Sequence, residues 1–287
     1  MVKKRKAGVN QKSAQNVEEQ THLRNRDSIS VFLERSYKVY NRVEFIETDP
    51  IFFPSSYSGN KEYVAFVSAL FAYGRVNLIK DFLIRFFDYY GNDPNNNLVQ
   101  ESSSVYYRFQ TSKDIFNLYG MITEIYEKYG SIEGAFLSFS DELEEALKRF
   151  VLYCREFGRK RLLDRGFFQL FPDPESSGLK RFRMFLRWMI RKDEIDFGLW
   201  KNFDRKDLIY PIDTHILRFA DKNGIVSNET NSLKNALKIT EFFRGINSSD
   251  PLKYDFTITR LGMINNCKFK KDYNCEFCAH VINCPFC

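Results

Sequence analysis

At 287 residues, 44% of them hydrophobic, the chain is long enough to bury a substantial core as one large domain or two lobes. No apolar run approaches the roughly 20 residues of a membrane-spanning helix, and no apolar signal segment follows Met1, so a soluble, cytoplasmic protein without a membrane partner is expected. The formal net charge of +6 is unevenly spread: Lys3, Lys4, Arg5, Lys6, Lys12, Arg24 and Arg26 face only Glu18 and Glu19 in residues 1–26, which leaves the rest of the chain near neutral. That segment lacks periodic apolar residues and is expected to be a disordered basic arm, either solubilising or touching nucleic acid non-specifically.

Apolar residues at helical spacing predict helices over Lys61–Tyr73 and Leu78–Tyr90, the second closed by Gly91, with a loop over Asn92–Asn97. Further helices are predicted over Ser112–Tyr129, Asp141–Phe157, Leu179–Lys192, Asp213–Asn223, Leu233–Arg244 and Pro251–Ile264, with Gly130, Gly158 and Gly224 as stops. Alternation with hairpin turns is absent, so the expected fold class is all-α. The 29 phenylalanines read as core before they read as a stacking surface.

Two of these helices carry candidate chemistry. In Leu179–Lys192, Phe182, Phe185, Leu186 and Met189 form one face and Lys180, Arg183, Arg187 and Arg191 another. Like charges at that spacing repel, so the stripe implies a polyanion or facing carboxylates, unless it is simply a solvated face. The small-residue turn Ser176-Ser177-Gly178 ahead of it offers backbone N–H groups for a phosphate, and a first-turn Lys180 is a candidate nucleophilic amine. In Tyr210-Pro211-Ile212-Asp213-Thr214-His215, Asp213 is positioned as an N-cap, and local pattern alone leaves a plain capping role open beside a catalytic one.

Five of the six cysteines fall at the end of the chain, as Cys267-x7-Cys275-x2-Cys278-x5-Cys284-x2-Cys287. Clustered thiols suit an iron–sulfur cluster or a tetrahedral zinc ion; disulfides are the alternative in an oxidising compartment. Cys154 stands apart and reads as a small buried hydrophobe.

The order of these features, a small-residue turn leading to Lys180, then Ile212-Asp213-Thr214-His215, then the cysteine loop, resembles the helix-hairpin-helix DNA glycosylases, endonuclease III above all. The chain also looks like a bacterial family of unknown function within that superfamily. The resemblance implies a two-lobed, all-helical fold, with a central lobe over residues 60–191 and a second lobe combining 27–59 with 192–287. It implies Lys180 as lyase nucleophile and Asp213 as catalytic carboxylate. It further implies Ser177, Gly178, Arg183, Arg187 and Arg75 as nucleic-acid contacts, with Arg191 continuing the stripe and Arg75 or Tyr73 wedging the duplex. A [4Fe–4S] cluster on Cys267, Cys275, Cys278 and Cys284 follows by the same resemblance, with Cys287 a possible substitute and zinc the rival metal.

Three departures bear on that reading. Pro172–Gly178 replaces the glycine-rich hairpin of endonuclease III, the insert Lys192–Tyr210 lengthens the interval from Lys180 to Asp213, and Phe71–Arg75 stands where endonuclease III has a wedging glutamine. The long interval is similar to that of archaeal 8-oxoguanine glycosylases. The implied activity is therefore a DNA N-glycosylase with β-lyase chemistry, acting as a monomer on duplex DNA carrying a damaged base, with an oxidised base as the candidate lesion. A non-catalytic nucleic-acid-binding protein on the same scaffold is the alternative.

Overall fold

The computed structural model describes residues 26–94, 100–102, 104–228, 230–264 and 267–269. Among them the chain forms helices and no strand, as the periodicity predicts. The helices are α1 (26–40), α2 (Phe52–Ser56), α3 (Lys61–Leu70), α4 (Val76–Tyr90), α5 (Ser112–Tyr129), α6 (Ile132–Phe139), α7 (Leu143–Lys160), α8 (Arg165–Leu170), α9 (Lys180–Ile190), α10 (Thr214–Lys222), α11 (Leu233–Arg244) and α12 (Asp255–Ile264). No described helix is long and apolar enough to cross a membrane.

Local chemistry fixes most of the boundaries. Asn60, Thr111, Ser131 and Ser232 each accept a backbone N–H from the first turn of the helix that follows, and Thr111 forms a reciprocal capping box with Asp114. Gly130 closes α5 in the left-handed region, where a side chain is disfavoured. The helix expected to run to Tyr73 stops at Leu70, because the Arg181 guanidinium takes the Leu70 carbonyl and the chain bends through Gly74 at φ +106°. Gly158 is not a stop. It lies inside α7, where a Cβ would press on the Phe167 ring at 2.8 Å, so it is small to let α8 approach.

Helix α3 is the centre of the core, with Tyr63 to Leu70 all buried. Helices α2 and α9 pack along it, while α6 packs on both α5 and α7. Phe66 touches Phe150, Phe182 and Phe185 with ring centroids 5.2–6.2 Å apart, and burying each such ring stabilises the fold by about 2–3 kcal/mol. Glu62 ties this group together, accepting from Tyr126 Oη, the Ile132 and Glu133 amides and Trp200 Nε1 at 2.7–3.0 Å. Downstream, α10 packs on α12, and the Phe243 ring of α11 stacks on Tyr210 and Phe219. Helix α1 joins this second group: Glu34 accepts from Lys253 and Tyr254.

Candidate active site

The segment Phe171–Leu179 delivers Lys180 to the first position of α9 through a tight, internally bonded path. Ser177 N donates to Asp173 O at 3.0 Å, Ser177 Oγ accepts from Leu179 N at 3.2 Å, and Ser177 pairs with Ser232 ahead of α11. Gly178 is buried against Asn231, leaving no room for a Cβ, and its carbonyl accepts from Arg183 Nε at 2.9 Å. Leu179 adopts φ 47°, ψ 36°, a left-handed conformation that costs a non-glycine residue about 1–2 kcal/mol. Burial of its side chain offsets that strain. Ser177 thus lines the cavity beside Lys180, whereas Gly178 is buried and does not line it.

Asp213 starts α10. Among the described residues its Oδ1 accepts from both His215 N and Ile216 N at 2.8 Å, and its Oδ2 accepts only from Thr259 Oγ1, at 3.4 Å. The cap therefore holds the carboxylate through one oxygen and leaves the other lightly engaged. His215 packs its ring against Gly262 of α12, and burial pushes its pKa below the ordinary histidine value, so it is neutral at physiological pH.

Lys180 and Asp213 come together here. Both line a cavity of about 130 Å³ with Asp49, Arg187, Asp255 and Arg260, and both line a second, of about 470 Å³, with His215 and Asn231. Lys180 also borders a third, of about 520 Å³, with Tyr73, Gly74, Ser177, Arg181 and Thr214. In the smallest cavity Arg187 pairs with Asp255, and Arg260 pairs with Asp49 at 3.0 Å. Among the described residues Lys180 and Asp213 are left without an ion-pair partner there. A larger cavity of about 810 Å³ near the start of α7 is lined by Asp141, Glu142, Glu144, Asp204, Asp207 and Glu241, a field that repels phosphate.

The arginine stripe faces inward, which corrects the expectation of phosphate contacts. Arg183, Arg187 and Arg191 are 2%, 4% and 3% exposed. Arg183 forks onto both oxygens of Glu144 at 2.7 and 2.8 Å. Arg187 bonds Asp196 and Asp255, and Arg191 bonds Asp193, Asp196 and Asp250. Taking Arg187 to DNA would strand two buried carboxylates, and Arg183 is itself enclosed with its fork committed to the half-exposed Glu144, so neither is placed as a DNA contact. Burial raises the Asp196 pKa and lifts Asp255 to about 6, with neighbouring carboxylates adding to it, Asp193 for Asp196 and Asp213 and Asp196 for Asp255, while the carboxylates hold Arg187 and Arg191 charged.

One cation of the rim had no signal in the sequence. Arg181 has no carboxylate within ion-pair distance among the described residues; it bonds the Leu70 and Leu170 carbonyls, also reaches that of Gln169, and lies 5.1 Å from the Tyr73 ring centroid. Burial lowers its pKa to about 10, still well above neutrality. Tyr73 in turn donates to Gln110, and burial raises its pKa to about 12. Arg75 is exposed at the start of α4.

Of the C-terminal cysteines, Cys267 lies within the described residues; Cys275, Cys278, Cys284 and Cys287 lie outside them. Cys267 N donates to Leu261 O at 3.2 Å and the Phe269 ring sits edge-on to Phe219, which anchors the start of the loop on α12 and α10. One thiol does not make a cluster or zinc site, and no group of three or more His, Cys, Asp or Glu is arranged for a metal among the described residues. Cys154 is fully buried, and burial raises its thiol pKa.

A family model described as "Protein of unknown function (DUF2400)" matches residues 49–264. No curated protein and no solved structure matches the chain.

Proposed function

The chain belongs to the DUF2400 family, and we propose that it is a DNA N-glycosylase with β-lyase activity that removes a damaged base, in the class of oxidised purines, from duplex DNA. It would act as a monomer in base excision repair in the cytoplasm. The observation that carries this reading is that Lys180 and Asp213 share two cavities and lack ion-pair partners among the described residues, whereas the arginines beside them in the smaller cavity are paired. The helix-hairpin-helix relationship itself rests on the order of the sequence motifs.

The chemistry follows from those two groups. A base inside a duplex is out of reach, so the damaged nucleotide must leave the stack and enter the cavity. The bond from C1′ to the base breaks with its electron pair on the base, and positive charge builds on the sugar. The lightly engaged Oδ2 of ionised Asp213 opposes that charge. The neutral amine of Lys180 bonds to C1′ and loses a proton, O4′ leaves C1′ and takes one up, and an iminium forms. Loss of a C2′ proton expels the 3′ phosphate, nicking the strand, and water then releases Lys180. Arg181, with no carboxylate at ion-pair distance among the described residues, adds fixed positive charge at the rim.

The test that needs no prior choice of lesion is mass spectrometry of the free bases released from γ-irradiated duplex DNA. Wild type should release one class of oxidised base and Asp213→Asn should not. Equal release by both proteins would overturn the assignment.

A further inference from the structure

Beside the Lys180 cavity stands a tight turn that the proposed chemistry does not use. Tyr107 and Gln110 exchange both backbone hydrogen bonds, at 3.1 and 2.8 Å, which leaves Arg108 and Phe109 at the tip. The base of the turn is fixed: Tyr107 and Gln110 are buried, Tyr107 Oη donates to Tyr73 O, and Gln110 Nε2 donates to Gly166 O at 2.8 Å. The tip is the opposite. Phe109 is 56% exposed and the neighbouring Tyr106 55%, the two most exposed rings among the described residues.

Each exposed ring has an arginine near its face. Arg108 lies 5.3 Å from the Phe109 centroid and 5.7 Å from that of Tyr73, and Arg85 lies 5.8 Å from that of Tyr106. Neither arginine has an ion-pair partner among the described residues. Arg108 holds φ 50°, a conformation that a branched or bulky side chain disfavours, and its guanidinium fills the space above Gly74. Gly74 and Tyr73 line the same cavity as Lys180. A rigid turn therefore presents an aromatic face and one cation, Arg108, that has no ion pair among the described residues, next to the candidate active site.

We propose that the Arg108–Phe109 tip is a nucleobase-stacking element, with Phe109 taking the face of an unpaired base beside the cavity and Arg108 its adjoining phosphate. Aromatic rings interleaved with unpaired arginines suit this ligand, since every base has a π-face and every nucleotide a phosphate. The assignment rests on the reading of the Lys180 cavity as a nucleotide site, and it places the stacking contact on this turn instead of on Arg75.

The experiment uses the full chain and a duplex with one abasic site, with 2-aminopurine opposite it, beside the single strand carrying the same abasic site. Wild type should raise the 2-aminopurine fluorescence on binding the duplex. Phe109→Ala should lose that rise and weaken duplex affinity about tenfold, while Phe109→Trp keeps both and Leu162→Ala, which removes another exposed apolar side chain (85%), changes neither. Borohydride trapping on the single strand, which needs no unstacking, reports on Lys180 alone. A full fluorescence rise and wild-type affinity in a folded Phe109→Ala protein would overturn the proposal even where trapping succeeds. Loss of trapping with the Phe109 effects intact would instead sink the lyase reading and keep the stacking element.

Discussion

Lys180 and Asp213 begin two different helices, α9 and α10, yet line the same two cavities. The strained Leu179 sets where α9 starts, and the cap sets where α10 starts, so the backbone of each functional residue is fixed at the start of its helix. Backbone fixed in this way moves little, which is what a site needs if it is to hold an amine and a carboxylate around one sugar carbon.

Asp213 has a structural and a chemical role that substitution separates. Asparagine caps a helix about as well as aspartate, so Asp213→Asn should change stability by less than about 0.5 kcal/mol, whereas Asp213→Ala should lose about 1 kcal/mol. Both should lower base release by about a hundredfold or more, since both remove the charge. Urea unfolding alongside base release checks the pair. Activity that tracks stability across the two variants would reduce Asp213 to a cap.

The buried arginines should matter to folding and not to DNA. Arg187→Met leaves four carboxylates around Arg191 alone and should destabilise the protein by about 3–5 kcal/mol in denaturant unfolding. Arg183→Met should cost less, about 1–2 kcal/mol, because Glu144 is 42% exposed and can be rehydrated. The slope of log affinity for DNA against log salt should be unchanged in Arg183→Met; a slope smaller by about one would mean a phosphate contact after all.

The same network gives stability an unusual pH dependence. Asp255 has a folded pKa of about 6, above that of an unfolded aspartate. Between about pH 4 and pH 6 the folded state binds the extra proton, so this group's contribution falls as pH rises through that window and is greatest below it. The free-energy difference between wild type and Asp255→Asn should shift by up to about 3 kcal/mol across the window in that direction. Unfolding free energies of both proteins at pH 4, 5 and 6.5 test it; a difference that is flat or grows with pH contradicts it.

Gly262 lets α12 approach α10. A Cβ there would collide with the His215 ring at Nδ1 and Cγ, so either the ring turns away about χ1 or the two helices part. Gly262→Ala should destabilise by about 1–3 kcal/mol and lower activity by disturbing Asp213. A melting temperature equal to wild type would show that the ring has room to turn.

Helices with a full apolar stripe and a polar cap were legible in the sequence, α5 and α11 to the residue, because their signals are local. Helices α2, α6 and α8 were not, being too short for periodicity to register, and α1 carries too mixed a face. Gly158 misled because a glycine that ends a helix and one that admits a neighbouring ring look alike until the neighbour is known. The arginine stripe had the same ambiguity: the spacing identifies a charged face, but its partners Asp196, Asp250 and Asp255 lie beyond the helix and only tertiary packing brings them in. The Tyr107–Gln110 turn left no trace, since its position beside Lys180 is a property of the fold and not of any local pattern.

The most direct test of the central claim is borohydride trapping on a duplex with an abasic site, comparing wild type with Lys180→Ala. Lys180 has no ion pair among the described residues and is only half-buried, so its removal should leave the fold intact. The account predicts a covalent protein–DNA adduct for wild type and none for Lys180→Ala, with duplex affinity changed less than about tenfold. An adduct of equal yield in the variant, or none in wild type, would contradict it.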